Sequence, residues 1–227
     1  MKIAIIQPNF FPLRSYYDLA KRVDKFIFLD DALYNNKSWV NKTTLRLHNR
    51  DYYFRIPLED YNPDLRRTTK DVTSKDNNWK NKFLKIIKVQ YKNYSNFDFL
   101  FPIIKEIINI PSNCLAHTSA YSVFRLSQSI FESKSKFTFS SIKYENVKLS
   151  YYDKILHICK KEGASTLYTF PTKTNQLDVQ KFARNDIGVS FFTSYANNLS
   201  IIDYLMTNDS YKEILKKECN LLRDERK

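Results

Sequence analysis

The spacing of hydrophobic and polar positions changes several times along this chain, and each change marks an element. Residues 3–7, Ile-Ala-Ile-Ile-Gln, form an unbroken apolar run of strand length, the pattern of a strand buried on both faces. An amphipathic stretch follows at 14–23, with Tyr16, Leu19, Ala20 and Val23 at helical spacing. Phe26 to Leu29 is a second short apolar run, and it ends at Asp30-Asp31. Strand, helix and strand within 31 residues predict a parallel pair joined by a crossover helix. Two shorter strands are expected at 43–47 and 53–57, followed by a long polar loop over 61–78. From 77 to 94 the period turns helical: Trp79, Phe83, Ile86, Ile87, Tyr91 and Tyr94 share one face, and Lys82, Lys85, Lys88 and Lys92 the other.

Further helices are predicted over about 98–109, broken near Pro102, and over 113–132. The C-terminal part then alternates. Strands are expected at 136–139, 166–170 and 189–193, and helices at 151–162, stopped by Gly163, and at 175–184. Ser200 with Asp203 reads as a capping box opening the helix of Leu199-Ser200-Ile201-Ile202-Asp203-Tyr204-Leu205, and a charged helix is expected over 208–224. The whole predicts one α/β domain over 1–227: a Rossmann-like parallel sheet covered by helices, with a helical insertion over about 77–132.

Composition narrows the chemistry. The chain has only two glycines, Gly163 and Gly188, so neither glycine-rich phosphate-loop pattern is present. Cys114, Cys159 and Cys219 are widely spaced and make no metal or disulfide framework. His48, His117 and His157 show no zinc-binding spacing, so no metal site is expected, and no serine sits in a G-x-S-x-G elbow. Cys114 and His117, three residues apart, read as packing residues rather than a thiol nucleophile and its base. No apolar run reaches the length of a membrane span and no signal peptide is apparent, so a cytoplasmic protein is expected. The net charge of +13 favours anionic partners: nucleic acid, phosphate-bearing small molecules or the surface of an anionic membrane. The same charge also fits a lysine- and asparagine-rich composition with merely solvated lysines.

The segment Gln7-Pro8-Asn9-Phe10-Phe11-Pro12 makes a crowded, glycine-free corner at the end of the first strand. Pro8 fixes the chain as it leaves the strand, and Pro12 suits the first turn of a helix. In open α/β sheets ligands bind beyond the carboxyl ends of the strands, where this corner and Asp30-Asp31 both fall. The helix start would add backbone N–H groups able to hold an anion. One of the two aspartates could serve as a general base, or the pair could hold Mg²⁺ with a substrate diphosphate. Lys37, Asn41, Lys42 and Arg46 are candidates for holding phosphate or carboxylate, with Trp39 able to stack on a ring. Asp18, four residues from both Arg14 and Arg22, also reads as a helix ion pair.

These residues resemble the WbqC-like family, found among bacterial O-antigen and other surface-polysaccharide gene sets. That family's pattern runs roughly Q-P-x-Y-F-P-W-L-G-Y-F-D-L, then F-x-x-L-D-D-x-Q-Y-x-K-x-S-W-x-N-R. Gln7, Pro8, Phe11, Pro12, Tyr16, Asp18 and Leu19 match its first part. Leu29, Asp30, Asp31, Tyr34, Ser38, Trp39 and Asn41 match its second, with Lys37 and Lys42 near its basic positions. Pro57, Trp79, Tyr91 and the Leu199–Leu205 stretch also fit. The chain departs at Leu13, Arg14 and Ser15, at Leu33 and Thr43, and in Leu167-Tyr168-Thr169-Phe170-Pro171, where the family has a small-residue segment. The opening corner is also similar, more distantly, to adenylylating nucleotidyltransferases, but lacks their two histidines, which makes ordinary adenylyl transfer an unsuitable reading.

The resemblance implies a transferase that moves a small acyl group, glycyl being one suggestion, to an amino sugar on a nucleotide or lipid carrier. Its expected catalytic residues are Gln7, Asp30 and Asp31. Asn9, Tyr16, Asp18, Tyr34, Lys37, Ser38, Trp39, Asn41 and Lys42 are the expected substrate contacts. The cofactor stays open between ATP with Mg²⁺ and another activated acyl donor. Two alternatives stand beside this reading: a non-catalytic nucleotide-sugar binder, and a basic nucleic-acid binder holding tRNA along the lysine face of 77–94.

Overall fold

The computed structural model describes residues 1–59, 62, 66–144, 149–171, 177–193 and 198–214. Strands β1 (Lys2–Ile6) and β2 (Lys25–Phe28) are parallel neighbours, connected by helix α1 (Arg14–Arg22), as their apolar runs predict. A hairpin follows, β3 (Lys42–Leu47) and β4 (Arg50–Arg55), and then helices α2 (Asn78–Tyr91), α3 (Phe97–Ile108) and α4 (Leu115–Ser129). Strand β5 (Lys136–Phe139) runs directly into the short helix α5 (Ser140–Lys143). Helix α6 (Tyr151–Lys161), strand β6 (Thr166–Thr169), helix α7 (Val179–Ala183), strand β7 (Gly188–Phe191) and helix α8 (Ile201–Thr207) complete the order.

The five-stranded sheet has the order β5-β2-β1-β6-β7, and all its pairings are parallel. From β1 the chain builds outward through β2 and β5, then returns to the other side of β1 with β6 and β7. This is the doubly wound arrangement, with its switch point between β1 and β6. Alternation along the strands supplies both faces. Ala4, Phe26 and Phe28 join the core formed with α1, α2, α3, α4 and α8. Ile3, Ile5, Ile27 and Leu29 join a second core with α6 and α7.

The hairpin differs from expectation, since its second strand starts at Arg50 and not at Tyr53. The turn is His48-Asn49, both at positive φ (47° and 61°), and Leu47 pairs with Arg50. That is a two-residue turn of the hairpin-favouring type, made without glycine. Helix α3 runs unbroken through Pro102, with Leu100, Ile103, Ile104, Ile107 and Ile108 fully buried around it. Burial of that face outweighs the one backbone bond the proline removes. Gly163 sits at φ 62° after α6, as its C-terminal stop. Ser200 does cap α8, accepting from Ile202 N at 3.2 Å, but Asp203 does not close a capping box. Its carboxylate instead accepts from Tyr91 Oη at 2.8 Å, tying α8 to α2. The helix expected over 175–184 is the shorter α7, and residues 175–176 lie outside the described residues. Of the helix expected over 208–224, residues 215–224 likewise lie outside them.

The carboxylate of Glu162, at the C-terminus of α6, gathers three elements. It accepts from Lys25 Nζ at 2.6 Å, from Lys143 Nζ at 2.5 Å and from the Tyr144 hydroxyl. Burial alone would raise its pKa, but these donors together bring it down to about 2. A depressed carboxylate contributes stability above its unfolded pKa and loses it as pH falls through the folded one. Glu162→Gln is therefore expected to lower the thermal midpoint by several degrees at neutral pH. The gap from the native protein should close as pH falls from about 4.5 to 2. Melting curves of both proteins across that window check this, and a gap independent of pH would refute it.

Candidate functional site

The corner after β1 is built around one residue. Phe11 has φ 41°, a left-handed backbone that costs an ordinary residue roughly 1–2 kcal/mol. Three distant side chains fix it there. Its N–H donates to Ser122 Oγ on α4 at 3.0 Å, and its carbonyl accepts from Thr43 Oγ1 at 2.9 Å and Ser200 Oγ at 3.0 Å. Its ring is fully buried against Phe10 and Phe83, with centroids 4.9 and 5.9 Å away. Next to it, Phe10 N donates to the carbonyl of Trp39 at 3.2 Å, and Ile201 N to that of Pro12 at 2.8 Å. The corner thus draws β3, α4, α8 and the segment before β3 into one place.

That convergence leaves a cavity of about 190 Å³ at the switch point. It is lined from β1 by Ile6, from the corner and α1 by residues between Asn9 and Tyr16, from the hairpin side by Trp39 and residues 42–44, and from the C-terminal half by Phe170, Pro171, Asn198 and Ser200. Lys42 Nζ lies 4.7 Å from the Trp39 ring centroid and donates to the carbonyl of Lys37 at 2.7 Å. Partial burial, and then the neighbouring Arg55, lower its pKa. Trp39 and Tyr53, both exposed, are 6.3 Å apart at the rim. Thr44 is buried, and its Oγ1 has no hydrogen-bond partner. Tyr16 donates to the carbonyl of Gln7 at 2.5 Å, and burial pushes its pKa well up, so its phenol stays neutral.

Of the expected site residues, Asn9, Tyr16, Trp39 and Lys42 line this cavity. Gln7 stands behind it, its Nε2 donating to the carbonyl of Leu33 at 3.1 Å. Asp18 pairs with Arg14 at 3.1 Å on α1. Tyr34 is buried, and its N–H donates to the carbonyl of Arg67. Lys37 is exposed, and Ser38 N donates to Asn35 O in the adjoining turn. Asn41 is buried under the hairpin, with Nδ2 donating to Ile56 O at 3.1 Å. Asp30 and Asp31 lie at the end of β2 and do not line the cavity.

All four oxygens of the two aspartates are engaged. Asp30 Oδ1 accepts from Ser141 N at 3.0 Å and lies 3.1 Å from Ser140 Oγ, and its Oδ2 accepts from Ser141 Oγ at 2.6 Å. Asp31 Oδ1 is 2.5 Å from the same Ser140 hydroxyl, and its Oδ2 pairs with Lys154. A magnesium ion needs open oxygen ligands and would have to displace this ammonium. The residues present do not fit it. Among the described residues no group of three or more His, Cys, Asp or Glu forms a metal cage, and no helix is long and apolar enough to cross a membrane. Cys114 and His117 turn to different partners: Sγ donates to Lys70 O at 3.3 Å, and Nδ1 lies 3.2 Å from Ser112 Oγ.

Sequence reasoning missed Thr44, Asn198 and Ser200 as lining residues, because only the fold brings them to the corner. Of the positions that depart from the family pattern, Leu13, Ser15, Thr43, Phe170 and Pro171 line the cavity, and Arg14, Leu33, Leu167, Tyr168 and Thr169 do not.

Comparison with known proteins gives two findings. The model of the WbqC-like protein family matches residues 7–213. A relative from Mycobacterium tuberculosis (strain ATCC 25618 / H37Rv), "Uncharacterized protein Rv1507c", is 29% identical over 112 residues. The match covers 46% of this chain and 47% of the relative, so it spans about half the length of each. No solved structure matches.

Thr43 and Ser200 donate to the same carbonyl, so removing both leaves a buried acceptor unpaired. Thr43→Val and Ser200→Ala should each destabilise by about 1 kcal/mol, Ser200→Ala somewhat more because it also removes a helix cap. The double variant should lose more than the two together, by at least about 0.5 kcal/mol. A double-mutant cycle in urea unfolding reads that coupling, and strict additivity would show that the two hydroxyls do not share the load.

Proposed function

The chain belongs to the WbqC-like protein family, and from that premise we propose that it is a transferase of bacterial surface-polysaccharide synthesis. In this reading it moves a small acyl group, glycyl in the form suggested by the resemblance, onto an amino sugar held on a diphosphate carrier. The observation that supports it is the cavity at the switch point. At about 190 Å³ it is smaller than the roughly 300–1,000 Å³ of pockets that enclose whole drug-sized ligands. It suits a sugar ring or a short acyl group and leaves the carrier outside, at the rim where Lys42, Trp39 and Tyr53 stand. There the Lys42 ammonium pairs with phosphate and the Trp39 ring stacks on a sugar face.

The chemistry asked of such a site is mainly positioning. The amine nitrogen attacks the acyl carbonyl, a C–N bond forms, and the bond to the donor's thiol or hydroxyl oxygen breaks. The departing sulfur or oxygen takes the electron pair and then the proton released by nitrogen. With their oxygens engaged, Asp30 and Asp31 act here as positioning residues for the carboxyl edge, and Gln7 does the same for Leu33 and Tyr16.

A second reading, a nucleotide-sugar binder without turnover, has its own support: no carboxylate or imidazole lines the cavity among the described residues. A binding and turnover assay with nucleotide-linked amino sugars and activated acyl donors separates the two. Lys42→Ala and Trp39→Ala should each weaken sugar-nucleotide binding at least tenfold while leaving the thermal midpoint within a few degrees. Asp31→Asn should lower the midpoint and leave turnover per folded molecule nearly unchanged. Binding without any acyl transfer would favour the second reading, and binding unaffected by Lys42→Ala would remove the cavity from both.

A further inference from the structure

We propose that helix α2 and the cleft at its N-terminal end form a binding surface for single-stranded RNA. The proposal does not rest on the transferase reading. Lys82, Lys85, Lys88 and Lys92 are all exposed and follow one another along α2 and its C-cap at spacings of three or four residues. They cover about 15 Å of helix axis. No aspartate or glutamate occurs from 77 to 97, and among the described residues none of these ammoniums has an ion-pair partner. Lys80, by contrast, is buried and donates to Ile110 O at 3.0 Å, so the helix separates one structural lysine from an unneutralised ridge.

At the start of that ridge lies a cleft of about 560 Å³, within the size range of ligand sites. Arg55, Lys75 and Lys82 line it together with Tyr52, while Trp79, also in its lining, is buried in the core. Its one carboxylate, Asp76, accepts from Asn78 N at 2.8 Å. Tyr94, exposed, stands just beyond the other end of the ridge. Cations that follow a backbone, with aromatic rings at both ends, are the arrangement that holds single strands: phosphates pair with the ridge and bases stack on the rings. An anionic membrane would instead need a broad apolar face beside the lysines, and Val89 is the only exposed large aliphatic side chain on α2.

Fluorescence anisotropy with a labelled 12-nucleotide single-stranded RNA, over a series of salt concentrations, tests this. The native protein should bind at low salt, with log affinity falling linearly against log salt. The triple variant Lys82→Gln/Lys85→Gln/Lys88→Gln should keep its thermal midpoint, bind at least tenfold more weakly and show a slope shallower by about 2. Tyr52→Ala should weaken binding of the single strand and leave the slope unchanged. No binding at low salt, unchanged binding by the triple variant, or binding to phosphatidylserine vesicles without binding to RNA would each overturn the proposal. Equal affinity for duplex RNA, with no effect of Tyr52→Ala, would overturn the assignment of the cleft.

Discussion

The arrangement of this molecule turns on the peptide of Phe11. A left-handed backbone at a bulky residue is retained only where its surroundings over-determine it. Here the surroundings come from three parts of the chain far apart in sequence: Thr43 on β3, Ser122 on α4 and Ser200 at the start of α8. Together the three hydroxyls satisfy the N–H and the carbonyl of Phe11, which would otherwise be buried without partners. The same bonds that hold the strained residue therefore also set where the hairpin, the helical insertion and the last helix meet the sheet. Strain at one position and register among four elements are a single constraint.

That constraint explains how a chain with two glycines makes a switch-point crevice. Glycine-rich loops bring backbone N–H groups against a phosphate because no Cβ stands in the way. Here the corner is crowded by Phe10, Phe11 and two prolines, and the backbone is used up in holding the corner itself. The polar residues lining the cavity come from the corner and α1 (Asn9, Ser15, Tyr16), the hairpin (Lys42, Thr43, Thr44) and the start of α8 (Asn198, Ser200).

Much of the sheet was legible because its signal is local. Five short apolar runs, separated by helical periods and turn residues, specify parallel strands almost by themselves, and both faces of β1 and β2 are buried as their patterns require. What failed was decided by a single unusual residue or by distant contacts. His48-Asn49 makes a turn normally signalled by glycine, so the start of β4 was misplaced. Pro102 predicts a break, but the apolar face around it holds the helix together. Asp203 had the spacing of a capping box but found Tyr91, 112 residues away, as its partner. The site divides in the same way. Asn9, Tyr16, Trp39 and Lys42 lie in the motif-bearing segments, while Thr44, Asn198 and Ser200 became visible only when the corner drew them together.

The hairpin also contributes side chains to two cavities of different character. Lys42 faces the crevice and Arg55 lines the cleft beside α2, and the two are direct cross-strand partners. Like charges placed opposite each other on a sheet are unfavourable, and the lowered pKa of Lys42 records part of that cost. An anion beside either cation offsets the repulsion felt by the other. The β3–β4 register keeps these two positive charges adjacent, on a hairpin whose own position is fixed at Phe11.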